Sequence, residues 1–435
     1  MKSYKKQRYI INKQRSLEKK RVSRKNKGMS FNLSDETYGK KEKYRTTKFI
    51  NLLFEKNIIS NNILKNNQLN EKSSQILITI PKIFSLSENY EETMETLFNI
   101  IYNGLNPNVS LIRFSHEFCE TLELSTSTIM DEILIEINNY RRRYYRNDKL
   151  VHYMGKLSTE DNVNDMLIIS GVIRRLSAKC SRRLNSEIKT LDLLIDITSG
   201  VGQTKILEFL QECFIEEGFT FTETAGDKIC QMVGEIIDNA NRHAGKYCKS
   251  FVIGHCSFNR ENEYGECHLS IFNWGDTIYE TLDNMDESSY IKKQLAEITQ
   301  KHINLFKFNN KWTKEALWTL YALQEGVSRF RNTRENSGGT GTIDFLTSFS
   351  EFKSNIEELK PMISITSGKT QIIIDGTYEL EEKNGYKVIA FNKNNDLYEP
   401  PDEEYVKILN NSFPGTVISI RFYIDKKYLS RKVDV

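Results

Sequence analysis

The stretch from Gly234 to Gly245, GEIIDNANRHAG, restricts the fold of this chain more than any other segment. At 3.6 residues per helical turn, four polar side chains share one face: Glu235, Asp238, Asn239 and His243. The other face is apolar: Val233, Ile236, Ile237 and Ala240. This pattern predicts an amphipathic helix packed on a sheet, with its polar face at a site. The alternative is a solvated polar stripe closed by a C-terminal glycine.

The chain has 435 residues, enough for two or three domains with cores of their own. Its 39% hydrophobic and 27% charged residues are typical of a soluble globular protein. No apolar run reaches the roughly 18 residues of a membrane span, and no signal-peptide core follows Met1, so we expect a cytoplasmic protein without membrane association. Seven scattered cysteines without a CxxC pair predict reduced core thiols, and neither a disulfide frame nor a zinc site.

Charge is distributed unevenly along the chain. The first 50 residues hold 17 Lys and Arg against 4 Asp and Glu, and the remainder is acidic overall, with 44 against 54. The basic run at 19–27 can grip nucleic-acid phosphates or an acidic partner. The alternative is a flexible, solvated arm, because no regular aromatic residues accompany the charge.

Three regions are predicted: a basic tail and linker at 1–70, a small α/β domain at 71–215, and a third domain at 216–435 that contains the quoted motif. In the second region, strands are predicted at 75–80 and 109–114 and helices at 91–102 and 125–140. This β-α-β-α order indicates an α/β layer structure. The piece at 165–199 mixes apolar and basic residues and supports no assignment.

The third region predicts a long helix through the quoted motif, followed by mixed strands and helices. Strands are predicted at 250–256, 267–272, 362–365, 371–374 and 416–423, and helices at 290–303 and 314–324. No proline occurs between Pro107 and Pro361, which leaves these helices unbroken.

Three glycine-containing boxes follow the helix. The first is a strand that runs into a tight turn, Leu269 to Ile278, with Gly275 in the turn. The second is the cluster Ser337 to Thr342, and the third is Pro414-Gly415-Thr416 before the last strand. A glycine cluster that opens into a helix frees backbone N–H groups to cradle phosphates.

In this order, the helix and the three boxes resemble the GHKL ATPase superfamily of gyrase, heat-shock chaperones, histidine kinases and MutL. The resemblance covers about Phe219 to Asp425. It implies an α/β fold of the α+β sandwich type, the Bergerat ATP-binding fold, with helices on one face of a mixed sheet. ATP and Mg²⁺ would lie between the layers under a mobile lid.

The resemblance also implies roles for individual residues. Asn239 matches the asparagine that coordinates Mg²⁺, and Glu235 matches the general base that activates water. Asp238 and His243 would line the phosphate-side rim. Further nucleotide contacts are implied for the three boxes: Asn273, Gly275 and Ile278; Gly338, Gly339, Thr340 and Gly341; and Thr416. The lid would be 279–336, in which Arg329, Arg331 or Arg334, close to Ser328, meets the γ-phosphate.

Two positions depart from the family pattern. Asn273 stands where an aspartate normally accepts the adenine amine, and Thr277 replaces the second glycine of that box. A neutral amide is the weaker acceptor. ATP affinity or base selectivity is therefore open, and a nucleotide-sensing or structural scaffold with a degenerate site is one alternative.

The protein-kinase alternatives rest on other features. Ser115-His116-Glu117 copies part of a histidine-kinase phosphoacceptor box, but Cys119, Glu120 and Thr121 break the match. Glu235 fits anti-sigma-type serine/threonine kinases and hydrolysing ATPases better, and residues 72–145 are similar in outline to the STAS-like domains that such kinases engage. We expect a slow ATPase acting as a conformational switch in bacterial signalling, stress response or defence, with a protein partner at the α/β domain, and lid exchange is compatible with a homodimer.

Overall fold

The computed structural model describes residues 48–59, 74–145, 150–171, 180, 182–243, 249–305, 311–325, 327, 341–352, 359–383 and 385–431. The basic run at 19–27, four residues of the glycine cluster (Ser337, Gly338, Gly339 and Thr340) and the lid residues at 328–336 lie outside this set, as does the side chain of His243. No helix in the described part of the chain is both long and apolar enough to cross a membrane.

The described residues contain helices and strands throughout. The helices are α1 (Lys48–Glu55), α2 (Tyr90–Leu105), α3 (Leu124–Tyr144), α4 (Asp161–Ser170), α5 (Ser199–Ile215), α6 (Glu223–His243), α7 (Ile278–Asp283), α8 (Tyr290–Leu305), α9 (Lys314–Tyr321) and α10 (Gly341–Glu351). The strands are β1 (Gln75–Thr79), β2 (Ile83–Phe84), β3 (Leu111–Ser115), β4 (Thr121–Leu122), β5 (His152–Lys156), β6 (Ile188–Ile195), β7 (Phe219–Phe221), β8 (Lys249–Asn259), β9 (Tyr264–Trp274), β10 (Met362–Ile374), β11 (Glu381–Lys383), β12 (Tyr386–Val388), β13 (Val406–Ile424) and β14 (Leu429–Arg431).

A three-stranded parallel sheet is built from the first part of the chain, in the order β1-β3-β5. Helices α2 and α3 connect its strands, as parallel pairing requires. The predicted β-α-β-α layer is confirmed, and its four predicted elements agree with β1, α2, β3 and α3 to within a few residues.

The larger sheet has five strands in the order β10-β13-β9-β8-β6. Every neighbouring pair is antiparallel, so the expectation of a mixed sheet is wrong. Antiparallel pairing follows from the connections, because β8 and β9 form a hairpin and β13 inserts between β9 and β10. The edge strand β6 lies at 188–195, so this sheet takes one strand from the region predicted as a separate domain at 71–215. The division at 215 itself stays a prediction.

Helices cover both faces of the five-stranded sheet, whereas the sequence predicted helices on one face. On one face, Ile236 of α6 shares a core with Val252 and Ile271. On the other, Phe251 and Phe272 share a core with α2 and α3. Successive strand residues point to opposite faces, and both Ser250 to Cys256 and Leu269 to Gly275 are continuously buried because both faces are covered there. The first part of the chain therefore packs directly on the sheet.

Strand β10 is one strand where the sequence predicted two. Its register with β13 shifts at Ser367 and Gly368, which marks a β-bulge. Gly368 has φ +59°, a left-handed conformation that favours glycine, and a Cβ there would clash with the carboxylate of Glu315. The bulge interrupts the alternation of side chains that a sequence pattern relies on.

Candidate functional site

A cavity of about 150 Å³ lies where helix α6 meets the end of β9 and the middle of β13. Five residues predicted from the sequence line it: Glu235, Asn239, Asn273, Ile278 and Thr416. These residues come from three separate segments of the chain. The helix after the glycine cluster adds Thr342 and Phe345, and α7 adds Thr281 and Leu282. A cavity of this volume accommodates one aromatic ring.

The amide of Asn273 ties the helix to the sheet at this cavity. Its Nδ2 donates to the carbonyl oxygen of Ala240 at 2.9 Å, and its Oδ1 accepts from the backbone N–H of Thr416 at 2.9 Å. Asn273 is only 2% exposed, and both bonds are partly buried. An aspartate has no N–H to give to Ala240. The bond to Ala240 therefore requires an amide at position 273.

Ser367 extends this hydrogen-bonded chain to the next helix. Its Oγ lies 2.8 Å from Oγ1 of Thr416 and accepts from the N–H of Ile278 at 2.9 Å. The chain therefore joins α6, β9, β13, β10 and the start of α7. Sequence reasoning missed Ser367, since it lies at the bulge between two segments predicted as separate strands. The adjoining Ser-Gly pair is the only local signal for it.

Thr281 presents an unsatisfied hydroxyl at the cavity. Its side chain is buried, and Oγ1 has no hydrogen-bond partner among the described residues. A buried hydroxyl without a partner costs free energy, which a bound ligand that accepts or donates a hydrogen bond would recover. Sequence reasoning had assigned this residue to the lid, with no role of its own.

Thr277 has a structural role in the turn after β9. Thr277 caps α7: its side chain accepts from the N–H of Glu280 at 3.0 Å, and the Glu280 carboxylate accepts from the N–H of Thr277 at 2.7 Å. This capping box requires a hydroxyl that glycine lacks. Close by, a Cβ on Gly415 would lie 2.1 Å from the carbonyl oxygen of Asn273, so only glycine fits there.

Helix α1 reaches the same turn from the start of the described chain. The ring of Phe49 lies 4.2 Å from that of Trp274, centroid to centroid, and Lys56 forms an ion pair with Glu280. Residues 48–56 are thus packed against the first glycine box.

Other predicted residues lie away from the cavity wall. Asp238 is half-buried on α6 but does not line the cavity. Gly275 does not line the cavity either, and its N–H donates to the carbonyl oxygen of Pro414 at 3.1 Å. Gly341 is the first residue of α10. The roles predicted for these residues, for His243 and for the glycine cluster stay predictions.

The oxygen donors at the cavity suit a hard cation. The Glu235 carboxylate and the Asn239 amide lie one helical turn apart and both line the wall. Mg²⁺ binds to one or two such oxygens together with substrate phosphates and does not need a full protein cage. In the described part of the chain, no group of three or more His, Cys, Asp and Glu side chains could hold a metal alone. The residues therefore fit a cation that arrives with phosphates.

His116, the residue of the histidine-kinase alternative, is buried, at 4% exposure, directly after β3. Burial lowers the pKa of its imidazole to about 4, and a contact with the carbonyl oxygen of Lys156 opposes this shift. A phosphoacceptor nitrogen must be reachable, so this environment disfavours the histidine-kinase alternative.

A half-buried carboxylate at the start of α3, that of Glu123, joins this helix to the other face of the five-stranded sheet. Glu123 accepts hydrogen bonds from the hydroxyls of Ser419 at 2.6 Å, Ser87 at 2.8 Å and Ser85 at 2.8 Å. Burial opposes its ionisation, but the hydrogen bonds, that of Ser419 foremost, outweigh burial and hold the pKa of Glu123 below its ordinary value. Ser419 follows Ile418, which lines the cavity, so adjacent residues of β13 contact the two sides.

Comparison with protein-family models, with curated protein sequences and with solved structures finds no significant match to this chain.

Proposed function

We propose that this protein binds ATP with Mg²⁺ and hydrolyses it slowly, as a nucleotide-driven conformational switch. The observation that supports this proposal is the meeting of Glu235, Asn239, Asn273 and Thr416 at one cavity. These residues were selected from separate sequence boxes, and their convergence is what a nucleotide site between a helix and a sheet requires.

Each side chain has a chemical role in the proposed site. The apolar wall of Ile236, Ile271 and Ile365 takes the adenine ring and excludes water, and the Thr281 hydroxyl hydrogen-bonds its edge. The Asn239 amide oxygen holds the cation, and the Glu235 carboxylate orients a water molecule and accepts its proton. Bound Mg²⁺ would supply charge neutralisation at the phosphates.

The proposed output passes through the sheet. Ile365 and Ile418 line the cavity, while Ser419 contacts Glu123 on the opposite face. A ligand that repositions β10 and β13 therefore changes the packing of α2 and α3. A partner protein bound to these helices or to the three-stranded sheet would respond to the bound nucleotide. A nucleic-acid partner at the basic tail and a homodimer remain part of this proposal.

The test measures ATP binding by calorimetry, with and without Mg²⁺, and phosphate release, for the intact protein and three variants. Because a general base contributes about 10²- to 10⁴-fold, Glu235→Gln should cut phosphate release at least about 100-fold and keep ATP binding. Asn239→Ala should weaken Mg²⁺-dependent binding about tenfold or more. Asp227→Asn removes an exposed carboxylate from the same helix and should leave both quantities unchanged.

The outcomes separate the alternatives. Transfer of radiolabelled γ-phosphate to a protein serine or threonine, abolished by Glu235→Gln, would favour the kinase alternative. Binding without turnover would indicate a nucleotide sensor. Absence of ATP binding by the intact protein would reject the proposal and leave a scaffold.

A further inference from the structure

A second, larger cavity of about 620 Å³ lies between helices α8 and α9 and the segment that carries β11 and β12. Its volume is in the range of about 300 to 1,000 Å³ typical of small-molecule sites. It is distinct from the cavity at Glu235, although Val327 lines both. No step proposed above uses it.

Tyrosine rings dominate the wall of this cavity. Four tyrosines line it: Tyr290, Tyr321, Tyr386 and Tyr398. Tyr290 is 48% exposed, Tyr386 45% and Tyr398 37%. Single exposed aromatic side chains are ordinary on protein surfaces, but three around one cavity form a surface for a flat, apolar ring system.

Three of these rings contact neighbouring side chains. Tyr321 donates from its hydroxyl to Oε1 of Gln294 at 3.0 Å, and Nε2 of Gln294 donates to the Tyr290 hydroxyl at 2.8 Å. The ammonium of Lys301 lies 3.7 Å from the ring centroid of Tyr398, within the range of a cation–π contact. Rings fixed in advance lose little conformational entropy when a ligand binds.

Two ammonium groups line the same cavity. Lys387 donates from Nζ to the neutral hydroxyl of Thr347 at 3.2 Å, and Lys383 donates to the backbone carbonyls of Asn394 at 2.6 Å and Asn395 at 2.9 Å. Lys383 also forms a long ion pair with Glu381, with 3.8 Å between Nζ and Oε2. Both lysines thus keep positive charge available to an anion.

The carboxylates of the two acidic residues in the wall accept hydrogen bonds from backbone N–H groups. Glu325 accepts from the N–H of Lys387 at 2.7 Å, and Asp396 accepts from the N–H of Tyr398 at 2.9 Å. The amide of Gln324 is also used internally, since it bonds both the carbonyl oxygen and the N–H of Ile389. The wall therefore offers ring faces and ammonium groups. It offers few side-chain groups that can form hydrogen bonds to the edge of a ligand's ring.

We infer that this cavity binds a nucleotide unit, with the base stacked on Tyr386 and Tyr398 and the phosphate at Lys383 and Lys387. Stacking on aromatic rings beside positive charge accepts every base, because each base has a π-face. The unit is either a free nucleotide or an unpaired nucleotide of a single strand. Binding at this cavity is independent of the ATPase proposed above.

The test uses the full chain and two probes: a fluorescein-labelled single-stranded oligothymidylate of ten nucleotides, and thymidine monophosphate as a competitor, both without Mg²⁺. Tyr386→Ala and Tyr398→Ala should each raise the Kd of the oligonucleotide about tenfold, as expected from the loss of one stacking partner. Lys387→Gln should reduce the slope of log K against log salt by about 0.7, the value for one phosphate contact on a single strand.

Matched controls address general effects of losing an exposed tyrosine or lysine. Tyr144→Ala removes a 50%-exposed tyrosine from α3, and Lys82→Gln removes an exposed lysine; neither should change the Kd. Tyr398→Trp should restore binding, which a folding defect in Tyr398→Ala would not explain. Photo-crosslinking of a 5-iodouridine oligonucleotide, followed by mass spectrometry, should mark the peptide that contains Tyr386 or Tyr398.

Each of the two supporting outcomes identifies a different ligand. Competition by the monophosphate that is lost in Tyr386→Ala identifies a free nucleotide as the ligand, and an effect confined to the oligonucleotide identifies a single strand. An unchanged Kd for both probes in both tyrosine variants, or an equal loss in Tyr144→Ala, would overturn the inference.

Discussion

The side-chain amide of Asn273 donates to the carbonyl oxygen of Ala240 across the gap between sheet and helix, at 2.9 Å. The same amide accepts from the backbone of Thr416. One neutral residue thereby fixes the distance between the layers that enclose the cavity, and Asn239, its proposed cation ligand, precedes Ala240 on the helix.

Asn273→Asp should destabilise the protein. The carboxylate loses the donor to Ala240 and leaves a buried charge facing a carbonyl oxygen, so we expect a loss of about 2 to 4 kcal/mol in the free energy of unfolding. Urea denaturation at pH 7 measures it. Asn262→Asp, at an exposed position in the turn between β8 and β9, is the control and should change stability by less than about 0.5 kcal/mol. Equal stability of Asn273→Asp and the native protein would refute the structural role of the amide.

Gly415→Ala should also destabilise the protein. Gly415 has φ +152°, and an added Cβ would lie 2.1 Å from the carbonyl oxygen of Asn273. The backbone of one central strand must move, which we expect to cost about 3 kcal/mol in the free energy of unfolding. Thermal and urea unfolding measure the loss.

Gly200→Ala is the matched control for Gly415→Ala. Gly200 lies in the first turn of α5, and no atom lies within 4 Å of an added Cβ. Alanine there should be neutral or stabilise by up to about 1 kcal/mol. A similar loss in both variants would show that the close approach to Asn273 is not the cause.

Local patterns predicted the helix α6 and six of the fourteen described strands, namely β1, β3, β8, β9, β10 and β13, because apolar periodicity reports which face of an element is buried. They missed strand β6, whose sequence, IKTLDLLI, mixes charged and apolar residues at the edge of a sheet. Its partner β8 lies more than 50 residues away in the chain, and such pairings leave no local signal.

Some residues of the candidate site could be predicted from the sequence and others could not, and the difference has a physical reason. Glu235 and Asn239 share a helix face, and so their proximity follows from helical geometry alone. Ser367 and Thr281 reach the cavity only through a bulge and a packed short helix, which the sequence does not reveal. Likewise, Phe251 and Phe272 are apolar whatever covers them, so the packing of α2 and α3 on that face could not be predicted.

Thr281→Val should separate ligand binding from stability. The Thr281 hydroxyl has no hydrogen-bond partner among the described residues, so its replacement by a methyl group should not reduce the free energy of unfolding. If a nucleotide bonds this hydroxyl, ATP affinity should fall about five- to tenfold, the worth of one hydrogen bond. Calorimetry and urea denaturation measure the two quantities.

Thr319→Val provides the comparison for Thr281→Val. Thr319 is also buried with an unsatisfied hydroxyl in the described structure, but it does not line the cavity. Its variant should keep native stability and native ATP affinity. An equal loss of affinity in both variants would mean that Thr281 does not contact the ligand.

Stability should depend on pH through Glu123. Hydrogen bonds hold its pKa below the ordinary value of 4.5, so the folded state favours the ionised form. Its contribution is complete above pH 4.5, the pKa in the unfolded chain, and is lost as the pH falls through the lower pKa of the folded state. The difference in free energy of unfolding between the native protein and Glu123→Gln should therefore be largest at pH 6 to 7, about 2 kcal/mol or more, and should shrink below pH 4.5. Urea denaturation between pH 3 and 7 measures this difference, and Glu120→Gln, at an exposed carboxylate paired with Lys82, should show almost none at any pH. A difference for Glu123→Gln that is constant over this range would mean that Glu123 acts at the interface through its shape and not through its charge.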